Sequence, residues 1–585
     1  MHSSLDIQHI ASLPEPTKSL AKFAAGGAPT DVDKLEAAIS NLSESDAALC
    51  IPAFYAHLNV DDLPLLREQL QTLATVPWLP DRLACALLGL KGLGRLERHL
   101  APEAREEVWA SVWLWIQFLE GVNLKRTPKL QPSSDDMRFI FVRIIIPFTP
   151  QPKSPTLSSF MSQPRMRELM SAGWAAALNL RGIPRIFLGA ICTVVAANSD
   201  MADGAQVRDV VASAGGTMDD LASLIVRSMR RLVPSRSSAQ PDAVLFRIGL
   251  MIIPLLGFVH DLPLKEHLVS HGSVDVICTV LCVWSTAAEL QMMMVVPLMM
   301  PWLLNHMEVF PYFTRVKEAL EGGLLRAIVL SAGRKEASYF EEQLETLLGS
   351  VLPQSLVYHS VLASLRAALD EAEPLTHNDA FRKSKFFTMW QDFVRLATDR
   401  LELLAKFDRG EIGQTRACDT IECTSPIKAE DDLKRCSECH SAFYCSRECQ
   451  IQEWAHHKKL CPSLLERENE LAYLASEVKF LRAVLNHDYE HARADVVAKR
   501  SKALETHPDA VVIFDYRHGL TVQIECGVAP AEVDRELIEY YGDRVNRSGE
   551  RLEMHVMALN VGKDRTEWLV LPMCVEAGGM PAAIH

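Results

Sequence analysis

Cys418-Asp-Thr-Ile-Glu-Cys423, Cys436-Ser-Glu-Cys439 and Tyr444-Cys445-Ser-Arg-Glu-Cys449-Gln450, followed by Trp454, His457 and Cys461, form the most informative stretch of the chain. Seven of the 14 cysteines fall between residues 418 and 461, and the other seven are scattered from Cys50 to Cys574. Thiols at this density mean disulfides or metal. Tetrahedral Zn²⁺ takes four Cys or His ligands, usually as close pairs. Four such pairs are present, enough for two ions: Cys418/Cys423, Cys436/Cys439, Cys445/Cys449 and His457/Cys461. The last two pairs are spaced i,i+4, which on a helix puts both side chains on one face. Residues 446–461 contain no Gly or Pro and read as helix. His456 is a competing ligand, but on a helix it points about 100° away from His457.

Tyr444, Cys445, Ser446, Cys449, Gln450, Trp454, His457 and Cys461 follow the pattern of the MYND-type zinc finger, and the segment resembles that family over 44 of 585 residues. The first pair departs from it, being Cys-x4-Cys where Cys-x2-Cys is more usual. His440, the one spare ligand type upstream of the helix, lies in the wrong pair to replace either cysteine. The resemblance implies two structural Zn²⁺ ions in an interleaved arrangement. Site one is then Cys418, Cys423, Cys445 and Cys449, and site two is Cys436, Cys439, His457 and Cys461. It further implies a protein-interaction module that docks proline-containing peptides of partner proteins, with Ser437, Gln450 and Trp454 at the contact positions. Gln450 and Trp454 lie four apart on the expected helix. They form a strip with a large amphipathic ring and an amide that both donates and accepts, which suits an extended peptide.

Outward from the finger, the chain reads as mainly α. Residues 1–30 are expected to be a flexible N-terminal segment. Residues 31–405 show helix-period segments in close succession, among them Pro102–Leu119, Met218–Leu232, Ala243–Phe258, Ser273–Val296 and His377–Leu404. A helical stretch this long exceeds one bundle core. Stacked helix pairs bury their apolar faces on neighbours, so the expectation is an armadillo- or HEAT-like α-solenoid. No clean repeat is legible, and an irregular all-helical domain is the alternative. Residues 464–505 read as a helical connector, with Leu471, Leu474, Val478, Leu481 and Leu485 at 3/4 spacing. That stripe is too short for a coiled coil and is expected to dock on a neighbouring element. Residues 506–575 change to strand-like runs around one helix and suggest a small α+β domain with a four-stranded antiparallel sheet. Residues 576–585 read as a flexible tail.

Composition narrows the function. The formal net charge is −14. The finger itself holds six Lys/Arg against eight Asp/Glu, and seven thiolates outweigh two Zn²⁺. A negative module repels phosphates, so direct nucleic-acid binding is not expected. The apolar runs Ile248–Val259 and Met292–Leu304 are interrupted by proline and too short to span a bilayer, so no membrane contact is expected. The first residues lack a basic start and apolar core. The scattered cysteines are then reduced thiols of an intracellular protein, cytoplasmic or nuclear. No GxSxG, Walker-type loop, HExxH or dinucleotide fingerprint is present. MYND fingers also occur within SET-type lysine methyltransferases, but their Asn-His-Ser-Cys motif is missing. Glu539-Tyr-Tyr-Gly-Asp543 is a faint echo of the tyrosine-bearing SET terminus. The expectation is a non-enzymatic adaptor: a helical scaffold with a zinc finger that recruits peptide-bearing proteins. A SET-type methyltransferase or a transcriptional, nucleic-acid-associated regulator is the alternative.

Overall fold

The computed structural model describes residues 2–71, 79–122, 134–150, 160–163, 165–180, 182–197, 204–233, 264–413, 415–423, 427–507, 510–549, 551–563, 565–574 and 582–583. The expected helix Ala243–Phe258 and all of the expected tail except Ala582–Ala583 lie outside the described residues. The fold is mainly helical with a small sheet near its C-terminal end. The described residues divide into one compact unit of 2–233 with 264–271 and a second from residue 272 onward.

In the first unit, residues 2–30 are built in rather than loose. Two 3-10 turns, Ser3–Leu5 and Ile7–Ser12, lead into the helix Thr17–Ala25. Leu5, Ile10, Leu13, Ala21 and Ala24 are buried, because these turns and the helix pack on the helix Ile51–Tyr55. The His57 ring nitrogen Nε2 bonds the Ala24 carbonyl at 2.9 Å. Helices Leu79–Leu96, Pro102–Gly121, Ser134–Phe148, Met166–Asn179 and Met218–Leu232 follow. The last starts at a capping box, Thr217 with Asp220, which satisfies two backbone donors reciprocally. Gly92 is required where it stands: a Cβ there would lie 2.3 Å from the Phe54 ring.

The second unit begins with paired helices, Ser273–Ser285 on Glu289–Met307 and Tyr312–Glu321 with Leu324–Ala332 on His359–Thr376. The Met292–Leu304 run lies inside Glu289–Met307, and among the described residues no helix is long and apolar enough to cross a membrane. The long helix α1 (Phe386–Asp408) closes this series. After it come two short hairpins, β1 (Thr415–Ala417) with β2 (Ile427–Ala429) and β3 (Lys434–Arg435) with β4 (Phe443–Tyr444). Helix α2 (Arg447–Glu470) is next. It runs through Pro462 instead of stopping there. Leu460, Cys461 and Leu464 are buried on either side of the proline, and that packing offsets the roughly 3 kcal/mol a helix-interior proline costs. The break falls at residues 471–477, before α3 (Val478–Leu504).

The C-terminal sheet comprises β5 (Val511–Asp515), β6 (Gln523–Gly527), β7 (Leu552–Gly562), β8 (Arg565–Cys574) and β9 (Ala582–Ala583), with α4 (Arg535–Arg547) between β6 and β7. Its order is β6-β5-β7-β8-β9. The expected ββαββ succession is present, but the sheet is five-stranded and mixed, since β5 and β7 pair in parallel. The reason is that β6 brings the chain back to the end where β5 began and the α4 connection then carries it across to the other edge of β5, a span a tight hairpin cannot make. The central strands β5 and β7 are buried along almost their whole length.

This sheet is not a separate domain. The Tyr358 hydroxyl donates to the Asn560 carbonyl at 2.9 Å, and Asn560 Nδ2 donates to Gln354 Oε1 at 3.0 Å. Arg400 makes a bidentate pair with Asp488 at 2.8 Å on both arms, and the Tyr516 hydroxyl donates to the same carboxylate at 2.9 Å. One buried guanidinium thus joins α1, α3 and the end of β5. Leu481 and Leu485 of the predicted stripe are fully buried on α3, docked as expected. Gly519 lies in the turn after β5 at φ +82°, and a Cβ there would meet the Gly349 carbonyl at 2.1 Å.

Candidate metal centre

Each ligand pair sits on a local device that the sequence supplies. The β3–β4 hairpin carries the knuckle Cys436–Cys439, closed by Cys436 N–H donating to the Ala442 carbonyl at 2.8 Å. His440 turns the chain at φ +56° and is exposed, so it is a corner and not a ligand. Ser446 caps α2 by accepting from Cys449 N–H at 3.2 Å. Cys445 therefore stands just before the helix and Cys449 in its first turn. About two and three turns on, His457 and Cys461 face the same way, both buried, while His456 is exposed.

These pairs interleave into two clusters. Cys418, Cys423, Cys445 and Cys449 form one, and Cys436, Cys439, His457 and Cys461 the other, with ligand atoms within 4.8 Å of one another in each. The sulfur separations decide what they hold. Cys423–Cys445 is 3.7 Å, Cys445–Cys449 3.5 Å and Cys436–Cys461 3.8 Å. A disulfide requires about 2.05 Å. A tetrahedron with Zn–S bonds of about 2.3 Å has edges of about 3.8 Å. His457 aims Nε2 at the same point, 3.4 Å from Cys436 Sγ and 3.6 Å from Cys439 Sγ. The donor set and spacing fit two Zn²⁺ ions. All four tetrahedral positions of each come from protein, the pattern of structural zinc.

Hydrogen bonds reach some of the cluster's sulfurs and favour the thiolate at two of them. Cys445 N–H points at Cys418 Sγ at 3.4 Å. Burial pushes the Cys436 thiol up, but the Cys439 and Glu438 backbone N–H groups outweigh it and hold the group below its usual value. Cys449 is likewise lowered, burial being outweighed by bonds from Cys445 and Ser446. The His457 imidazole is depressed, chiefly by burial, which keeps it neutral and able to ligate.

The lengthened first knuckle has a use of its own. Asp419 N–H donates to the Phe443 carbonyl at 2.7 Å, and its carboxylate accepts from Phe443 N–H at 2.6 Å. Thr420 Oγ1 donates to the Cys449 carbonyl at 2.7 Å. Arg544 of α4 reaches the same knuckle, donating to the Asp419 carbonyl at 2.5 Å and pairing with its carboxylate at 3.3 Å. Asp419 and Arg544 are each 1% exposed. Arg547 adds a pair with the buried Glu453 of α2 at 3.3 Å. The zinc cysteines share one apolar core with Val511, Ile513, Leu537, Tyr541 and Val556 of the sheet and α4. The finger is thus packed on the C-terminal sheet. Sequence reading missed Arg544, 125 residues from its partner; the only local signal was an acidic residue inside an overlong Cys-x4-Cys loop.

The expected peptide contacts lie outside this shared core. Ser437 is exposed in the second knuckle, Gln450 is half-buried and Trp454 is 39% exposed. Ile451, which sequence reading passed over, is 66% exposed beside them. The Trp454 ring lies 5.9 Å from the His457 imidazole, so the tryptophan rests on site two with one side open. Residues 418–461 match the family model described as the MYND finger. No solved structure matches the chain.

Proposed function

We propose that the protein is a non-enzymatic adaptor, in which the finger docks proline-containing segments of partner proteins and the helical array serves as scaffold. The observation that carries this reading is the division of labour along α2. Glu453, His457, Leu460, Cys461 and Leu464 are buried, whereas Ile451 and Trp454 stay exposed. A large aromatic left open beside a rigid metal site loses little entropy on binding, and such residues dominate interface energetics. Gln450 supplies donor and acceptor for the backbone of an extended peptide, and proline-rich segments are already ordered before they dock. Zinc chemistry argues against catalysis at the ions, because no coordination position is open to water or substrate.

The test is affinity capture with the full-length protein and with Gln450→Ala/Trp454→Ala, zinc content being measured on both. The double variant is expected to keep two zincs and lose a defined set of partners with proline-containing motifs. An unchanged partner set sinks the peptide reading. Transfer of a methyl group from S-adenosylmethionine to a lysine-bearing protein would restore the methyltransferase alternative.

A further inference from the structure

A cavity of about 200 Å³ lies beneath the finger, away from the Trp454 surface and within the second unit. Its walls come from the finger, α2, α3, α4 and β8. One side is apolar, with Leu464, Val478, Leu537 and Trp568. The charged lining is one-sided: Arg416, Arg435, Arg467, Lys479 and Arg482 against Glu430 and Glu468. Most of these charges are already engaged. Arg435 and Lys479 share Glu430 at 3.8 and 3.4 Å, and Arg467 pairs with Glu470 and Glu567. Arg416 lies over the Phe443 ring at 3.4 Å and donates to the Ser441 carbonyl. Glu468 accepts the Ser441 hydroxyl at 3.3 Å.

Arg482 differs. Among the described residues it makes no ion pair within 4 Å and no hydrogen bond, and its Nε is buried without a partner. Burial pulls its guanidinium down to about 10, the acids Glu430 and Glu468 compensating only in part. A guanidinium stays charged in proteins, so the cavity wall carries a half-buried cation for which the described residues supply no acceptor. Buried donors nearly always have partners, and one left open in a cavity marks room for a ligand.

We propose that this cavity binds a small organic carboxylate with an apolar body, its carboxylate held by Arg482 and its body against Trp568 and the neighbouring aliphatic wall. The planar fork matches a carboxylate bidentately. The apolar wall favours a carbon body over a bare inorganic anion. The volume is below the roughly 300–1,000 Å³ of drug-sized pockets, which limits the ligand to about the size of phenylpropanoate or hexanoate. The site is separate from the peptide surface, so neither reading depends on the other.

Calorimetric titration of the full-length, zinc-loaded protein tests this, with 3-phenylpropanoate, hexanoate, 3-phenylpropanamide and inorganic phosphate as probes. At least one carboxylate is expected to bind about tenfold or more tighter than the amide, which cannot form the charge-assisted pair. Arg482→Met should abolish that binding yet be about as heat-stable without ligand, since the substitution breaks no hydrogen bond or close ion pair among the described residues. Ala475→Phe, at an exposed position on the cavity lining, should weaken binding with zinc content and melting temperature unchanged. The proposal is overturned if neither carboxylate binds, if the amide or phosphate binds as tightly as the carboxylates, or if Arg482→Met binds like the wild type.

Discussion

The two sides of the zinc finger are built on opposite principles. On the sheet side, Asp419 and Arg544 are both 1% exposed and the ligand cysteines share a core with β5, β7 and α4. On the other side, Ile451 and Trp454 lie open on the first turns of α2. One side is held by neighbours distant in sequence, and the other by the zinc ligands and local contacts such as the Ser446 cap. A finger has almost no core of its own. Here it borrows one, so the exposed residues can be spent on recognition without weakening the fold.

Chelation breaks the comparison most severely. Structural zinc supplies on the order of 10 kcal/mol per site in isolated finger peptides. Because the cysteines sit in the sheet's core, removing zinc should unfold the second unit's finger and C-terminal sheet together, read by hydrogen exchange on β5 and β7. Exchange confined to residues 418–461 would show that the shared core is not cooperative. Next in size is Arg544→Ala. It leaves the buried Asp419 carboxylate uncompensated and should cost about 3–5 kcal/mol in urea unfolding. Asp419→Asn/Arg544→Met should recover part of that loss, with zinc content the check that the knuckle still closes.

Acid should act on the sheet side as well. His555 of β7 is fully buried against Glu553 at 3.1 Å, and burial holds its imidazole below the ordinary value. The unfolded chain then takes up a proton near pH ~6.5 that the folded chain refuses, so stability falls as pH drops below that value. Glu553 works in the same direction. Burial raises its carboxyl, but the His555 bond and nearby positive charge outweigh it and hold it low, so its contribution is lost at still lower pH. His555→Gln should flatten the decline of the melting temperature between pH 6.5 and 5. An unaltered slope would place the titrating group elsewhere. The smallest stability effect belongs to the open side. Trp454→Ala should shift unfolding by no more than about 1–1.5 kcal/mol, because its ring is partly covered by His457. A loss of several kcal/mol would mean that the tryptophan is packing, not docking.

The eight ligands were legible because metal chemistry demands particular residue types at short spacings, and Ser446, Cys445 and Cys449 carry their geometry within one helical turn. The helical character of the described residues within 31–405 was legible from local periodicity for the same reason. The parallel pairing of β5 with β7 was not, since strand runs look alike whichever way their partners point and only the α4 crossover decides it. The order of residues 2–30 was equally hidden: Leu5, Ile10 and Leu13 become a core only when the helix Ile51–Tyr55 arrives beside them. The sequence by itself determined the zinc sites, the helices and the succession of strands, because these rest on contacts a few residues apart. Only the tertiary structure decided that the finger lies on the C-terminal sheet, that Arg544 closes its first knuckle and that Arg482 faces a cavity. Those facts rest on pairs more than a hundred residues apart or on space enclosed by five separate elements, and short-range pattern carries no record of either.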